Sequence, residues 1–197
     1  MNTRPIDRFD YCEKQYFLAG ISGDILFNPC LYGLKLTPPN SACWHGYQAW
    51  YQVRDGALRM KSLKVWSEEV ETLPLLLYGA PFHLREGEDA GALFADFDGA
   101  YEDCPEPVPF TGGLLLGRGF VPEYALIQRP SPVLKFRRIH ELIFRRGHLV
   151  KAQDCSHQID ELRRRQVDLC PQPLSGREIA NKLEATFCLR YDLWKGP

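Results

Sequence analysis

The 197-residue sequence is short of the features that would classify it at once. It has no run of eighteen apolar residues, and its greasiest stretches, Leu73 to Tyr78 and Leu114 to Leu116, are far too short for a bilayer-spanning helix. Met1 to Asp10 is polar and charged, without the apolar run that a secretory signal places before its cleavage site, so export is not expected. The cysteines are Cys12, Cys30, Cys43, Cys104, Cys155, Cys170 and Cys188. No two are separated by only two residues, as zinc knuckles and redox motifs require, and an odd number spread evenly argues against a disulfide framework. The expectation is a reduced, cytoplasmic protein with no membrane, metal or cofactor dependence. A formal net charge of -1 supplies no whole-molecule field to draw in nucleic acid or an anionic membrane.

What is present is ordinary globular material: 45% apolar, 12% aromatic and 25% charged residues, which excludes disorder, collagen and coiled coil. A chain of this length buries on the order of 70% of its unfolded surface and needs no covalent staple. Residues 1–197 read as a single globular domain, or as two similar β-rich halves of about 1–100 and 101–197. Shifting the chain by 91 residues places Pro39 on Pro130, Arg54 on Arg145, Gly56 on Gly147 and Leu58 on Leu149. Two unrelated hairpins sharing turn chemistry would give the same matches.

From Ile6 to about Leu149, short alternating runs rich in Val, Tyr, Phe, Trp and Leu are broken by Gly, Pro, Asn and Asp, which is a strand texture. Tyr47, Ala49, Tyr51 and Val53 alternate with polar residues up to Asp55-Gly56, a dipeptide suited to a tight hairpin turn. Arg138 to Phe144 and His148 to Ala152 form a second hairpin around Arg146-Gly147, although Ile139, Leu142 and Ile143 also fit helical spacing. At the carboxyl end Ser156 is placed to cap a helix carrying Ile159 and Leu162. Ser175 and Glu178 have capping-box spacing ahead of Ile179, Leu183 and Phe187. The expected fold is α+β: mainly antiparallel β-sheet with hairpins, and two short carboxyl-terminal helices.

Charge is unevenly placed. Residues 68–106 hold eleven acidic residues against Arg85 alone, a net -10. Residues 134–165 hold nine basic residues against four acidic ones, a net +5. Mutual neutralisation, or plain solvation, accounts for such blocks in many proteins. The functional reading is recognition: Glu86, Glu88, Asp89, Asp96, Asp98, Glu102 and Asp103 form a partner-binding surface, interleaved with Leu93, Phe94, Phe97 and Tyr101 as anchors. The function this predicts is a non-enzymatic protein-binding module of the immunity or antitoxin type, whose acidic surface covers a basic site on a partner such as a toxin.

Two rivals stay open. An enzyme would need a site assembled from distant residues including Cys43, His45 or His140. Cys43-Trp44-His45 would place thiol and imidazole on one face of a strand, with no third group readable to orient the base. His140 and His148 have the wrong interval for a helical zinc pair. Asp96 and Asp98 suit a carboxylate pair, but their acidic surroundings favour solvation. Gly112, Gly113, Gly117 and Gly119 lack the Gly-Lys-Ser/Thr ending of a phosphate loop and read as close backbone approach within a strand. The second rival is a nucleic-acid binder using Arg137, Arg138, Arg145 and Arg146 with Phe136 and Phe144, disfavoured because the acidic block offers those arginines partners.

Overall fold

The computed structural model describes residues 7–39, 43, 45–85, 97–122, 132–167 and 176–191. It divides into two compact units, each discontinuous in sequence: residues 1–14, 25–110 and 146–148 form the first, and residues 15–24, 111–145 and 149–197 the second. The architecture is mainly β with two helices.

In the first unit, β1 (Arg8–Tyr11), β3 (Tyr47–Arg54), β4 (Ala57–Val65), β7 (Gly99–Glu102), β6 (Ala80–Leu84) and β5 (Leu76–Leu77) lie side by side in that order. The β3–β4 hairpin closes on Asp55 (φ 52°) and Gly56 (φ 69°), both left-handed as a two-residue turn that matches strand twist requires. Alternation sends Ala49 and Tyr51 inward, where Tyr51 stacks on its register partner Phe9 with ring centroids 5.0 Å apart. Leu58, Met60, Leu63, Tyr101 and Phe110 complete a core with no side chain more than 2% exposed. Burying a side chain of this size contributes about 1.5–3 kcal/mol.

Two features correct the expected antiparallel hairpin sheet. The β1–β3 pair is parallel, pairing Arg8, Phe9 and Asp10 with Trp50, Tyr51 and Gln52, so the sheet is mixed. In addition, Ala57 of β4 pairs with His148, the first residue of β10 (His148–Asp154), and Leu58 N–H donates to Gly147 O at 2.8 Å. Both contacts lie within the first unit and add a long-range pairing that a plain hairpin sheet does not have. Long-range strand pairing of this kind leaves no periodic mark in the sequence.

The second unit orders β2 (Lys14–Gly23), β8 (Gly112–Phe120) and β9 (Phe136–Arg145) antiparallel, with β10 returning from β9 through Arg146 and Gly147, both at positive φ. The ambiguous Ile139–Ile143 stretch is therefore strand. Glycine in β8 allows close packing: a Cβ on Gly113 would meet Tyr191 Oη at 2.1 Å, and one on Gly117 would meet the Phe136 ring at 2.3 Å. The helices are α1 (Ser156–Val167) and α2 (Gly176–Thr186). Ile159 and Leu162 of α1 and Ile179 and Leu183 of α2 pack with Leu115, Phe136 and Ile139 in one core.

The expected Ser156 cap is replaced. Asp154 Oδ1 accepts from Ser156 N–H at 2.9 Å, while the buried Ser156 Oγ turns to the strand and accepts from Ile139 N–H at 3.1 Å. A carboxylate two residues upstream satisfies the open amide and releases the hydroxyl for tertiary use. Ser175 lies outside the described residues, and the expected capping box with it.

Candidate functional site

The acidic segment can be followed only in part. Glu86, Glu88, Asp89 and Asp96, with Leu93 and Phe94, lie outside the described residues. Asp98 is half-buried, and its Oδ2 accepts from Ser67 N–H at 2.7 Å, a structural use. Glu102 and Asp103 are exposed at the end of β7, and Glu102 Oε1 accepts from Ser62 Oγ at 2.8 Å. Tyr101, an expected surface anchor, points inward and is fully buried, donating its hydroxyl to Pro74 O at 2.7 Å. Alternation on β7 makes this necessary, since Glu102 and Tyr101 cannot share a face. Phe97 is half-exposed, with the Lys64 ammonium 4.5 Å and the Arg85 guanidinium 5.5 Å from its ring centroid.

Large apolar side chains are exposed within the same segment. Leu75 is 84%, Leu76 64% and Leu84 60% exposed. Leu76 belongs to the two-residue edge strand β5, Leu75 O accepts from Phe82 N–H at 3.0 Å, and Leu84 ends the neighbouring β6. Glu68, Glu69, Glu71, Glu102, Asp103 and Glu106, the last just beyond β7, are exposed in the same stretch of sequence.

The outer face of the β1–β3–β4–β7 sheet holds a second constellation, which sequence reading did not single out. Trp50 pairs with Arg8 on one side and Ser62 on the other, and Ser62 pairs with Glu102. The β3–β4 register slips between Trp50 and Tyr51, leaving Lys61 as an extra residue between Met60 and Ser62. Such a bulge re-aims side chains. Inward positions before it are Leu58 and Met60 and after it Leu63 and Val65, so Lys61 and Ser62 both fall outside that inward phase. Lys61 Nζ lies over the Trp50 ring, 4.1 Å from its centroid, and donates to Asp10 Oδ2 at 2.6 Å. Trp50 Nε1–H donates to Asp10 Oδ1 at 3.1 Å. The Arg8 guanidinium stands 6.0 Å from the ring centroid. Arg8, Gln48, Trp50, Lys61, Ser62, Lys64, Glu102 and Asp103 line a half-open cavity of about 310 Å³. The only mark of this site in the sequence is the break in β4 alternation at Lys61-Ser62.

The nucleophile candidates are placed as follows. Cys43 and His45 precede β3 and do not share a strand, which corrects the expected one-face geometry. Cys43 Sγ donates to Tyr47 O at 3.3 Å, and burial pushes the thiol above its ordinary range. Burial also pushes Cys104 up to about 11 and Cys155 up to about 12, so these thiols stay protonated at neutral pH. His140 is half-buried, edge-on to Tyr16 with ring centroids 5.4 Å apart. Arg137 and Arg138 begin β9 and Arg145 ends it, a separation of about 25 Å along an extended strand. Among the described residues no three His, Cys, Asp or Glu side chains gather in a metal-holding group, and no helix is long and apolar enough to cross a membrane.

No protein-family model matches the chain, and no curated protein or solved structure shows significant similarity to it.

Proposed function

We infer that the chain is a non-enzymatic protein-binding module of the immunity or antitoxin type, which presents its acidic 68–106 segment to a basic site on another protein. The observation that carries this reading is the group of exposed leucines, Leu75, Leu76 and Leu84, inside a segment of net -10. Apolar anchors in a charged surround have the composition of a recognition surface, since desolvated anchors supply affinity while charge supplies encounter rate and selectivity. A charge-complementary occupant is a basic protein. An edge strand of only two residues also suits docking by side chains better than strand addition.

The test uses purified candidate toxins with basic catalytic clefts and follows both binding and inhibition. The wild-type chain is expected to bind one of them with one-to-one stoichiometry and suppress its activity. Leu75→Ser with Leu76→Ser is expected to weaken binding at least tenfold at unchanged thermal stability, because both side chains are largely solvated already. Unchanged affinity in that variant would reject the surface.

A further inference from the structure

We propose that Arg118 and Arg138, with Arg137 and the neighbouring ring of Phe120, form a binding surface on the second unit for single-stranded nucleic acid. This does not rest on the protein-binding reading, which concerns a segment of the first unit.

Arg118 of β8 and Arg138 of β9 are register partners in an antiparallel pair, so their side chains leave one face of the sheet from Cβ atoms about 5 Å apart. Arg137 stands beside them with its stem along Gly119, where an added Cβ would lie 3.5 Å from Arg137 Cβ and 3.8 Å from its Cδ. All three arginines are exposed. Like charges directly opposed across a ladder destabilise it, and a carboxylate between them would relieve the cost. Among the described residues no carboxylate meets any of the three guanidinium groups within ion-pair distance. Asp154, at the end of β10, lies within electrostatic reach of Arg138 but accepts from Ser156 N–H at the start of α1. Glu141, further along β9, is buried and taken up by Cys188, Leu189 and Tyr191, and Asp160 holds Arg163 and Arg164. The acidic residues of the unit are thus engaged elsewhere or outnumbered at this rung. The unit as a whole has fourteen basic and ten acidic residues, a net +4.

The chemistry of the rung selects the partner. Each guanidinium offers N–H donors in a fixed planar fork that matches phosphate oxygens, and a nucleic-acid strand carries one such phosphate per nucleotide. Phe120, two residues beyond Arg118 on β8, is 53% exposed. Its ring is held at 80° to Phe136 with centroids 5.9 Å apart, so one neighbour fixes it while much of it stays open to solvent. Exposed aromatic rings beside arginines serve as stacking platforms for bases, and a base is available for such stacking where it is not paired within a duplex. This combination favours a single strand over a duplex or an acidic protein.

Fluorescence anisotropy of the full chain with end-labelled single-stranded RNA and DNA of about twelve nucleotides, a length one small module covers, tests this. Circular dichroism confirms that each variant is folded. At least one of the two strands is expected to bind with a Kd of about 1–10 μM at low salt, and log affinity is expected to fall against log salt with a slope of about -2, the value for three phosphates of a single strand. Arg118→Gln/Arg138→Gln is expected to weaken binding at least tenfold and to reduce the slope to about -0.7, that of the one remaining contact. Phe120→Ala is expected to weaken binding about tenfold at unchanged slope, the scale of one stacked base. Arg54→Gln, an exposed arginine of the first unit, is expected to leave both unchanged. The proposal is overturned if neither strand binds at about 100 μM protein in low salt, which exceeds the expected Kd at least tenfold. It is equally overturned by unchanged affinity and slope in the Arg118→Gln/Arg138→Gln variant, by unchanged affinity in Phe120→Ala, or by poly-glutamate or a duplex of the same length competing as well as the single strand.

Discussion

Glu141 and Tyr191 meet at 3.0 Å inside the second unit, the tyrosine hydroxyl donating to a carboxylate that is 1% exposed. The same carboxylate accepts from Cys188 N–H at 2.9 and 3.0 Å and from Leu189 N–H at 3.2 Å. One buried side chain on β9 therefore satisfies the backbone that follows α2; burial, and after it the adjoining Glu141 carboxylate, pushes the Tyr191 hydroxyl well above its ordinary range.

Replacing that carboxylate should be costly. Glu141→Leu leaves the Cys188 and Leu189 N–H groups and the buried Tyr191 hydroxyl without their acceptor, and is expected to destabilise the chain by about 2 kcal/mol, whereas Tyr191→Phe removes one donor and should cost about 1 kcal/mol. Denaturant unfolding measures both. Hydrogen exchange at the Cys188 and Leu189 amides should accelerate in Glu141→Leu; unchanged protection there would contradict the clamp.

Gly113 should tolerate no side chain. Gly113→Ala is expected to cost about 1–3 kcal/mol through overpacking against Tyr191. Because the nearest obstructing atom is Tyr191 Oη at 2.1 Å, with Leu189 Cδ1 at 2.7 Å and the Tyr191 ring at 3.0 Å, adding Tyr191→Phe should restore part of that loss. A double-mutant cycle tests this: strictly additive penalties would show that the clash lies elsewhere.

Asp7 gives a pH dependence. Burial pushes its carboxyl from 3.8 to about 6. Between those values the unfolded chain is deprotonated while the folded one still holds its proton, so the folded state binds more protons and stability falls as pH rises from about 4 to 6. Asp7→Asn, which carries no charge at any pH, is expected to flatten that slope and to be more stable than wild type above pH 6. Thermal melts from pH 3.5 to 7.5 read this directly, and a slope unaltered by the substitution would exclude Asp7 as its source.

Local chemistry was legible in the sequence wherever neighbours in the chain decide the outcome. Asp55-Gly56 and Arg146-Gly147 both form left-handed hairpin turns, and the period of Ile179, Leu183 and Phe187 places all three in the core. Non-local choices were not legible. The parallel Arg8–Trp50 pairing and the His148–Ala57 pairing join segments far apart in sequence, and no turn residue specifies them. Glu141 looked like one carboxylate in a basic block. Its phase with Ile139 and Ile143 on an apolar strand was the available sign that it faces inward. The acidic segment was visible as charge, but its sorting was not: Asp98 serves Ser67, Tyr101 enters the core, and Glu102 and Asp103 share a cavity with Arg8 and two lysines.

The central claim, that the 68–106 segment is displayed to a basic protein, is tested most directly by charge reversal. Glu86, Glu88, Asp89, Asp96 and Asp103 are replaced together by Lys, leaving the internally bonded Asp98 and Glu102 in place, and affinity for the inhibited toxin is measured by calorimetry at low and physiological salt. The account predicts that wild-type binding is tighter at low salt and that the reversed variant loses at least a hundredfold in affinity while melting at the wild-type temperature. Undiminished, salt-independent binding by the reversed variant would contradict it.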